Sequence, residues 1–272
     1  MRRLPDDFLL GCATAAHQVE GNLDNDWTRM EREQPERIHD GSVSGLACDH
    51  YRRYRDDLAL LAGLGQDAHR FSIEWSRVEL RRGEFDRDAL AHYADVVRTC
   101  RTVGMEPVVT LHHFTLPTWL ADLGGVSAPD APALFARYAA LCAATFGESV
   151  RWWVTINEPN VLALFGHLYG EWPPLQRSVR ACRAAMRGTA RMHAAAYSAI
   201  HDVARANAWP AREFGWCGRP TCPTWQAPTC TPRICPEPSC RSTGPIPPSR
   251  GGGLGRHGPL RRRRTQRAGW WV

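Results

Sequence analysis

Short β-rich apolar runs alternate with helical patterns along the first two hundred residues, and each run ends in polar side chains. Residues 8–13 read as a short buried strand, with His17, Gln18 and Glu20 just past its end. Residues 49–65 put Tyr51, Tyr54, Leu58, Leu61 and Leu64 at helical spacing, and Gly65 stops the pattern. Residues 67–73 form the next strand and deliver Glu74, Trp75, Ser76 and Arg77. Helical patterns over 88–103 and 131–146, each closed by a glycine, flank a β-rich run at 107–111 that delivers His112, His113 and Phe114. A fourth run, 152–156, is followed by a long Ala- and Arg-rich helix over 179–206. This order implies a parallel sheet with right-handed crossovers, either a barrel or an open doubly wound sheet. The segment after the first run, residues 11–16, lacks the glycines of a phosphate loop, which argues against nucleotide binding.

The hexapeptide Thr155-Ile156-Asn157-Glu158-Pro159-Asn160 concentrates the chemistry. Proline pushes the residue before it out of helix and supplies no N–H, so the fourth strand stops with Glu158 at its C-terminal rim. In barrels of alternating strands and helices that rim hosts catalysis. A carboxyl that is partly desolvated there is suited to general-acid work.

Charge and cysteine both divide the chain. Residues 1–214 carry 24 Arg against 27 acidic residues, a balance of −3, whereas residues 215–272 carry 10 Arg against one Glu, a balance of +9. Lysine is absent throughout. Cys12, Cys48, Cys100, Cys142 and Cys182 lie in apolar segments and read as reduced core thiols. Cys217, Cys222, Cys230, Cys235 and Cys240 crowd together without a paired C-x-x-C knuckle, with only His257 downstream, so no metal site is expected. No cofactor is called for. There is no apolar run of about 18 residues to span a membrane. The start of the chain meets acid without a long apolar segment, so no secretory signal is read and a cytoplasmic enzyme is expected.

Four strand ends together supply Gln18 with Glu20, Arg70 with Glu74, His113 with Phe114, and Asn157 with Glu158. Amide, imidazole and carboxyl groups grip sugar hydroxyls, and aromatic faces cover sugar C–H patches. At these residues the chain resembles the retaining β-glycosidases of glycoside hydrolase family 1, the β-glucosidase family. The match is carried by residues 8–21, 69–77, 110–117 and 155–160, and runs from about residue 5 to residue 213. The resemblance implies a (β/α)8 TIM barrel, of which about the first four βα units are present, acting on terminal β-linked sugars or oligosaccharides. It implies Glu158 as general acid/base and Asn157 as the amide on the sugar 2-hydroxyl. Gln18 and His113 match sugar-binding residues, Phe114 and Trp27 match stacking walls, and Arg70 matches the arginine that orients the nucleophile. Thr115 stands where the family often has aspartate.

The resemblance also implies a nucleophile in a Glu-Asn-Gly motif, and that tripeptide is absent from the 272 residues. The expectation is therefore a truncated, inactive glycosidase, with open edges on the first and fourth strands as a route to self-association. The alternative is a non-catalytic half barrel that binds a sugar or a protein partner. A nucleic-acid role for the Arg-rich tail lacks any recognisable module. We divide the chain into a barrel part, 1–213, and a Pro/Arg/Cys-rich unstructured tail, 214–272. The tail's ten prolines and lost periodicity cannot offset ordering entropy. The abrupt join is read as a shifted reading frame. Sequencing the gene is expected to reveal a better barrel continuation in another frame; a single intact frame without one contradicts this reading.

Overall fold

The computed structural model describes residues 8–210 and the backbone of the strand Glu213–Cys217. Apart from that strand, the tail reading of 214–272, with its cysteine cluster, His257 and arginine run, lies outside the described residues.

Five parallel strands, β1 (Gly11–Ala13), β2 (Ala68–Ser72), β3 (Glu106–His112), β4 (Trp152–Asn157) and β5 (Glu213–Cys217), lie side by side in chain order. A doubly wound sheet reverses its order at a switch point. No reversal occurs among the five, so the barrel alternative holds. The principal helices are α1 (Asp26–Glu33), α2 (His50–Gly63), α3 (Arg87–Thr102), α4 (Ala131–Phe146) and α5 (Val179–Ala206). None of them is long and apolar enough to cross a membrane.

Local chemistry starts these helices where the sequence allows. Asn25 and Thr28 form a reciprocal capping box at α1, and Asp86 accepts from the Asp88 and Ala89 amides at α3. Each such cap stabilises its helix by about 1 kcal/mol. Packing then decides the faces. Phe71, Val109, Leu111 and Trp153 join the apolar core under the helices. Trp153 stacks on Phe146 of α4 at 6.0 Å, and Trp75 stacks on Tyr138 of α4 at 4.8 Å. The Tyr138 hydroxyl bonds the carbonyls of Ile73 and Leu111 at 3.4 and 3.3 Å, tying α4 to two strand ends. Strand side chains alternate, so Arg70 and Thr110 occupy the other face of the sheet.

Three sequence expectations change. Residues 8–10 are not buried strand: Phe8, Leu9 and Leu10 are 42, 44 and 53% exposed, and β1 pairs only with β2 among the described residues. The fourth strand is not an edge, because β5 pairs with it in parallel. That strand straddles the 213/214 boundary; its Glu-Phe-Gly-Trp-Cys sequence has no aliphatic pattern, and only the neighbouring ladder defines it. Cys48 is exposed, whereas Cys100 and Cys142 are buried free thiols.

Helix α5 crosses close to the turn Gly125–Ser127, and a Cβ at Gly188 would stand 1.9 Å from the Val126 carbonyl oxygen. Alanine gains about 1 kcal/mol of helix propensity. A backbone clash of this depth costs more than that. Gly188→Ala is expected to lower stability by a net amount of about 1–3 kcal/mol in urea denaturation, and an unchanged or raised midpoint contradicts this packing.

Candidate active site

The C-terminal ends of β2, β3 and β4 bring three of the sequence candidates into one bonded group. Arg70, on β2, donates from Nε to Thr110 Oγ1 at 2.9 Å and from Nη2 to Asn157 Oδ1 at 2.5 Å. The Asn157 amide in turn meets His113 Nε2 at 3.3 Å. A register shift between Val154 and Asn157 on β4 marks the rim here; such irregularities re-aim side chains beside active sites.

Glu158 follows at once, half-buried and in the left-handed region at φ 39°. Its carboxylate has no hydrogen-bond or ion-pair partner among the described residues. Phe114, after β3, has φ 71°. For side chains of this size the left-handed conformation costs about 1–3 kcal/mol and collects at functional sites.

Aromatic rings line the approach. Phe114 lies 5.0 Å from His113 and 5.0 Å from Trp172, and Trp172 lies 5.3 Å from Trp27. Trp27 contacts the His17 ring at 5.7 Å. The wall readings of Phe114 and Trp27 thus fall on one continuous aromatic surface. Gln18 lies in the short helix Ala16–Val19 after β1, exposed and beside His17.

Trp172 escaped the sequence reading. It sits in Glu171-Trp172-Pro173-Pro174, a loop without periodicity, and its only signal was an aromatic in the segment after Glu158. Several buried polar atoms of this region are unpaired among the described residues: Trp27 Nε1, both His112 nitrogens, His113 Nδ1 and Asn160 Oδ1.

Burial, with Arg70 and His112 nearby, pushes His113 down to about 3 and keeps its imidazole neutral. Past the end of β1, burial raises Glu20 to about 7, against Arg77 and with Glu74 adding to the rise. Asp26 also rises to about 7, by burial first, despite the Leu116 N–H that it accepts. Among the described residues no group of three His, Cys, Asp or Glu side chains is arranged to hold a metal.

The sequence profile of glycosyl hydrolase family 1 matches residues 1–214. This chain belongs to that family. Coniferin beta-glucosidase of Pinus contorta is 39% identical over 178 residues, covering 62% of this chain and 34% of that protein. Beta-glucosidase A of Thermotoga maritima is 33% identical over 211 residues, covering 75% of this chain and 47% of its own length. A solved structure of the Thermotoga maritima beta-glucosidase, in complex with a methoxycarbonyl-substituted glucoimidazole, superposes with TM-score 0.74 at 31% identity, over 79% of this chain and 50% of that one. A beta-glycosidase from Pyrococcus horikoshii gives 0.68 at 37% identity, over 73% and 46%. The chain therefore spans between about a third and a half of these relatives. Its sequential parallel strands are part of the family's (β/α)8 barrel.

The shifted groups set a pH profile. Burial lowers His69, His92 and His112 to about 4 and His113 to about 3, from an ordinary 6.5. Between those values the unfolded chain binds more protons, so their contribution to stability rises with pH. Glu20 and Asp26, raised to about 7 from 4.5 and 3.8, bind more protons when folded, so their contribution falls as pH rises to about 7. Four histidines, half protonated in the unfolded chain at pH 6.5, still outweigh two carboxyls there, and the two contributions balance near pH 7. Denaturation midpoints are expected to climb from pH 4 and to level off near pH 7, with a steeper climb in Asp26→Asn. A steady decline from pH 5 contradicts this balance.

Proposed function

We propose that this chain carries the acid/base half of a β-glucosidase-type active site. The observation that carries the reading is the placement of Glu158 at the end of β4, directly after an Asn157 that is bonded to Arg70 and near His113. In this reading Glu158 protonates the departing glycosidic oxygen. Asn157, His113 and Gln18 bind hydroxyls of the terminal sugar, Phe114 and Trp27 stack on its C–H faces, and Arg70 orients the nucleophile. A neutral His113 and unpaired buried polar atoms suit an uncharged, hydroxyl-rich ligand. Buried free thiols at Cys100 and Cys142 suit a reducing compartment such as the cytoplasm.

Retention requires two carboxyls roughly 5–5.5 Å apart, one attacking carbon while the other protonates oxygen. The chain of 272 residues holds no Glu-Asn-Gly motif to supply the attacking group. Loss of one member of such a unit costs several orders of magnitude, about 10⁴-fold or more. We therefore read this chain by itself as inactive, with the open edge of β1 available for association with another sheet.

The test is hydrolysis of p-nitrophenyl β-glucoside by the chain and by Glu158→Gln. Both are expected to remain at background. Robust turnover that Glu158→Gln abolishes overturns the inactivity and keeps the acid/base role, whereas turnover that survives the substitution overturns that role.

A further inference from the structure

Phe114 holds a left-handed backbone that a large side chain rarely adopts, at φ 71°, and the two residues after it are gripped by two different buried carboxyls. The Thr115 hydroxyl donates to Glu74 Oε2 at 2.9 Å. The other Glu74 oxygen accepts from the Ser76 hydroxyl at 2.8 Å. One residue on, the Leu116 N–H donates to Asp26 Oδ1 at 2.8 Å, and the Asp26 N–H donates back to the Leu116 carbonyl at 3.0 Å. Glu74 is 1% exposed and Asp26 is 7% exposed. One grip comes from the end of β2 and the other from the first residue of α1, so the segment after Phe114 is pinned from two sides.

We propose that Glu74 and Asp26 are positioning residues: by clasping Thr115 and Leu116 they hold Phe114 in its strained conformation and aim Phe114 and His113 at the sugar subsite. The inference rests on the sugar-site reading above for what the two aromatic residues face, and on geometry alone for the clasp. Strained backbone persists only where surrounding contacts over-determine it. Here the contacts on Phe114's own side chain are ring contacts with His113 and Trp172, which leave its backbone free to turn. The hydrogen bonds that hold this segment come at the next two residues. The Thr115 hydroxyl and the Leu116 N–H donate to buried carboxyls, and the Asp26 N–H donates to the Leu116 carbonyl.

The chemistry also accounts for the residue at position 115. A hydroxyl can donate to Glu74, whereas an aspartate would set a second carboxylate against it in a site where each of them is already costly to bury. Arg77 does not relieve that cost directly, since its guanidinium is bonded to Glu20 at 3.1 Å and to the Gly21 carbonyl at 2.6 Å. Glu74 and Thr115 are thus a matched pair, forty-one residues apart in sequence.

The experiment uses the full chain, with amide hydrogen exchange and side-chain nitrogen NMR of the histidines. Thr115→Val removes the hydroxyl at nearly constant shape, Thr115→Ser restores it, and Asp26→Ala removes the second grip. Thr115→Val is expected to speed exchange of the Phe114, Thr115 and Leu116 amides by about 10-fold or more while α4 and α5 stay protected. The His113 ring signals should shift, and Thr115→Ser should return both readouts to wild type. Unchanged local exchange and unchanged His113 signals in Thr115→Val overturn the proposal, as does acceleration spread evenly over the chain. If Asp26→Ala fails to fold, the Val and Ser pair decides alone. Adding glucose separates the two readings: local loosening without saturable glucose binding keeps the clasp and removes the sugar site.

Discussion

Arg70 reaches across the sheet from β2, past Thr110 on β3, to Asn157 on β4, and this single cation joins the three strand ends that carry the candidate chemistry. Its neighbours are oriented by it in turn. Asn157 has its carbonyl oxygen committed to the guanidinium, which leaves its amide nitrogen to meet His113. Burial and the positive charge together keep His113 neutral, so it can accept from that amide. The register alone does not level these groups, because Arg70 pairs with Val108, which pairs with Trp152. The long arginine side chain therefore reaches towards the strand ends to Asn157, beyond the register shift on β4.

Around the strand ends the molecule also buries acids. Glu20, Asp26 and Glu74 are each less than a tenth exposed, and Arg77 provides a direct ion pair for Glu20. Desolvation raises Glu20 and Asp26, and their hydrogen bonds offset it only in part. Tyr93 donates to both Glu20 oxygens at 2.9 and 3.0 Å, and Thr115, Ser76 and the Leu116 amide serve the other two acids. These bonds therefore join the segments that follow β1, β2 and β3 to α1. One of the donors, Thr115, directly follows Phe114.

Much of this was legible from residues in order. The helices over 131–146 and 179–206 were read with the bounds the structure has, because glycine stops and long apolar stripes are local signals. The strand ends that carry Arg70, His113, Asn157 and Glu158 were legible for a similar reason: a proline or a polar cluster interrupts a β-rich run. Two kinds of feature were not legible. Trp172 belongs to a loop with no period, and its place beside Phe114 and Trp27 depends on how the chain returns after β4. The strand β5 has no aliphatic pattern of its own and takes its form from pairing with β4. Residues 8–10 misled in the opposite sense, being apolar enough for a core yet exposed beside a strand that is paired on one side among the described residues.

The sequence by itself determined the family, the alternation of strands and helices, and the identity of the groups at the strand ends, because these depend on residue type, spacing and local backbone preference. Tertiary structure alone decided that the strands run in unbroken order, that Arg70 rather than solvent satisfies Asn157, and that Thr115 and Leu116 are held by acids forty-one and ninety residues away. Those outcomes depend on which strands the parallel sheet makes neighbours, on how far a long side chain reaches across them, and on which carboxyls burial strips of water. No local window of sequence contains any of these facts.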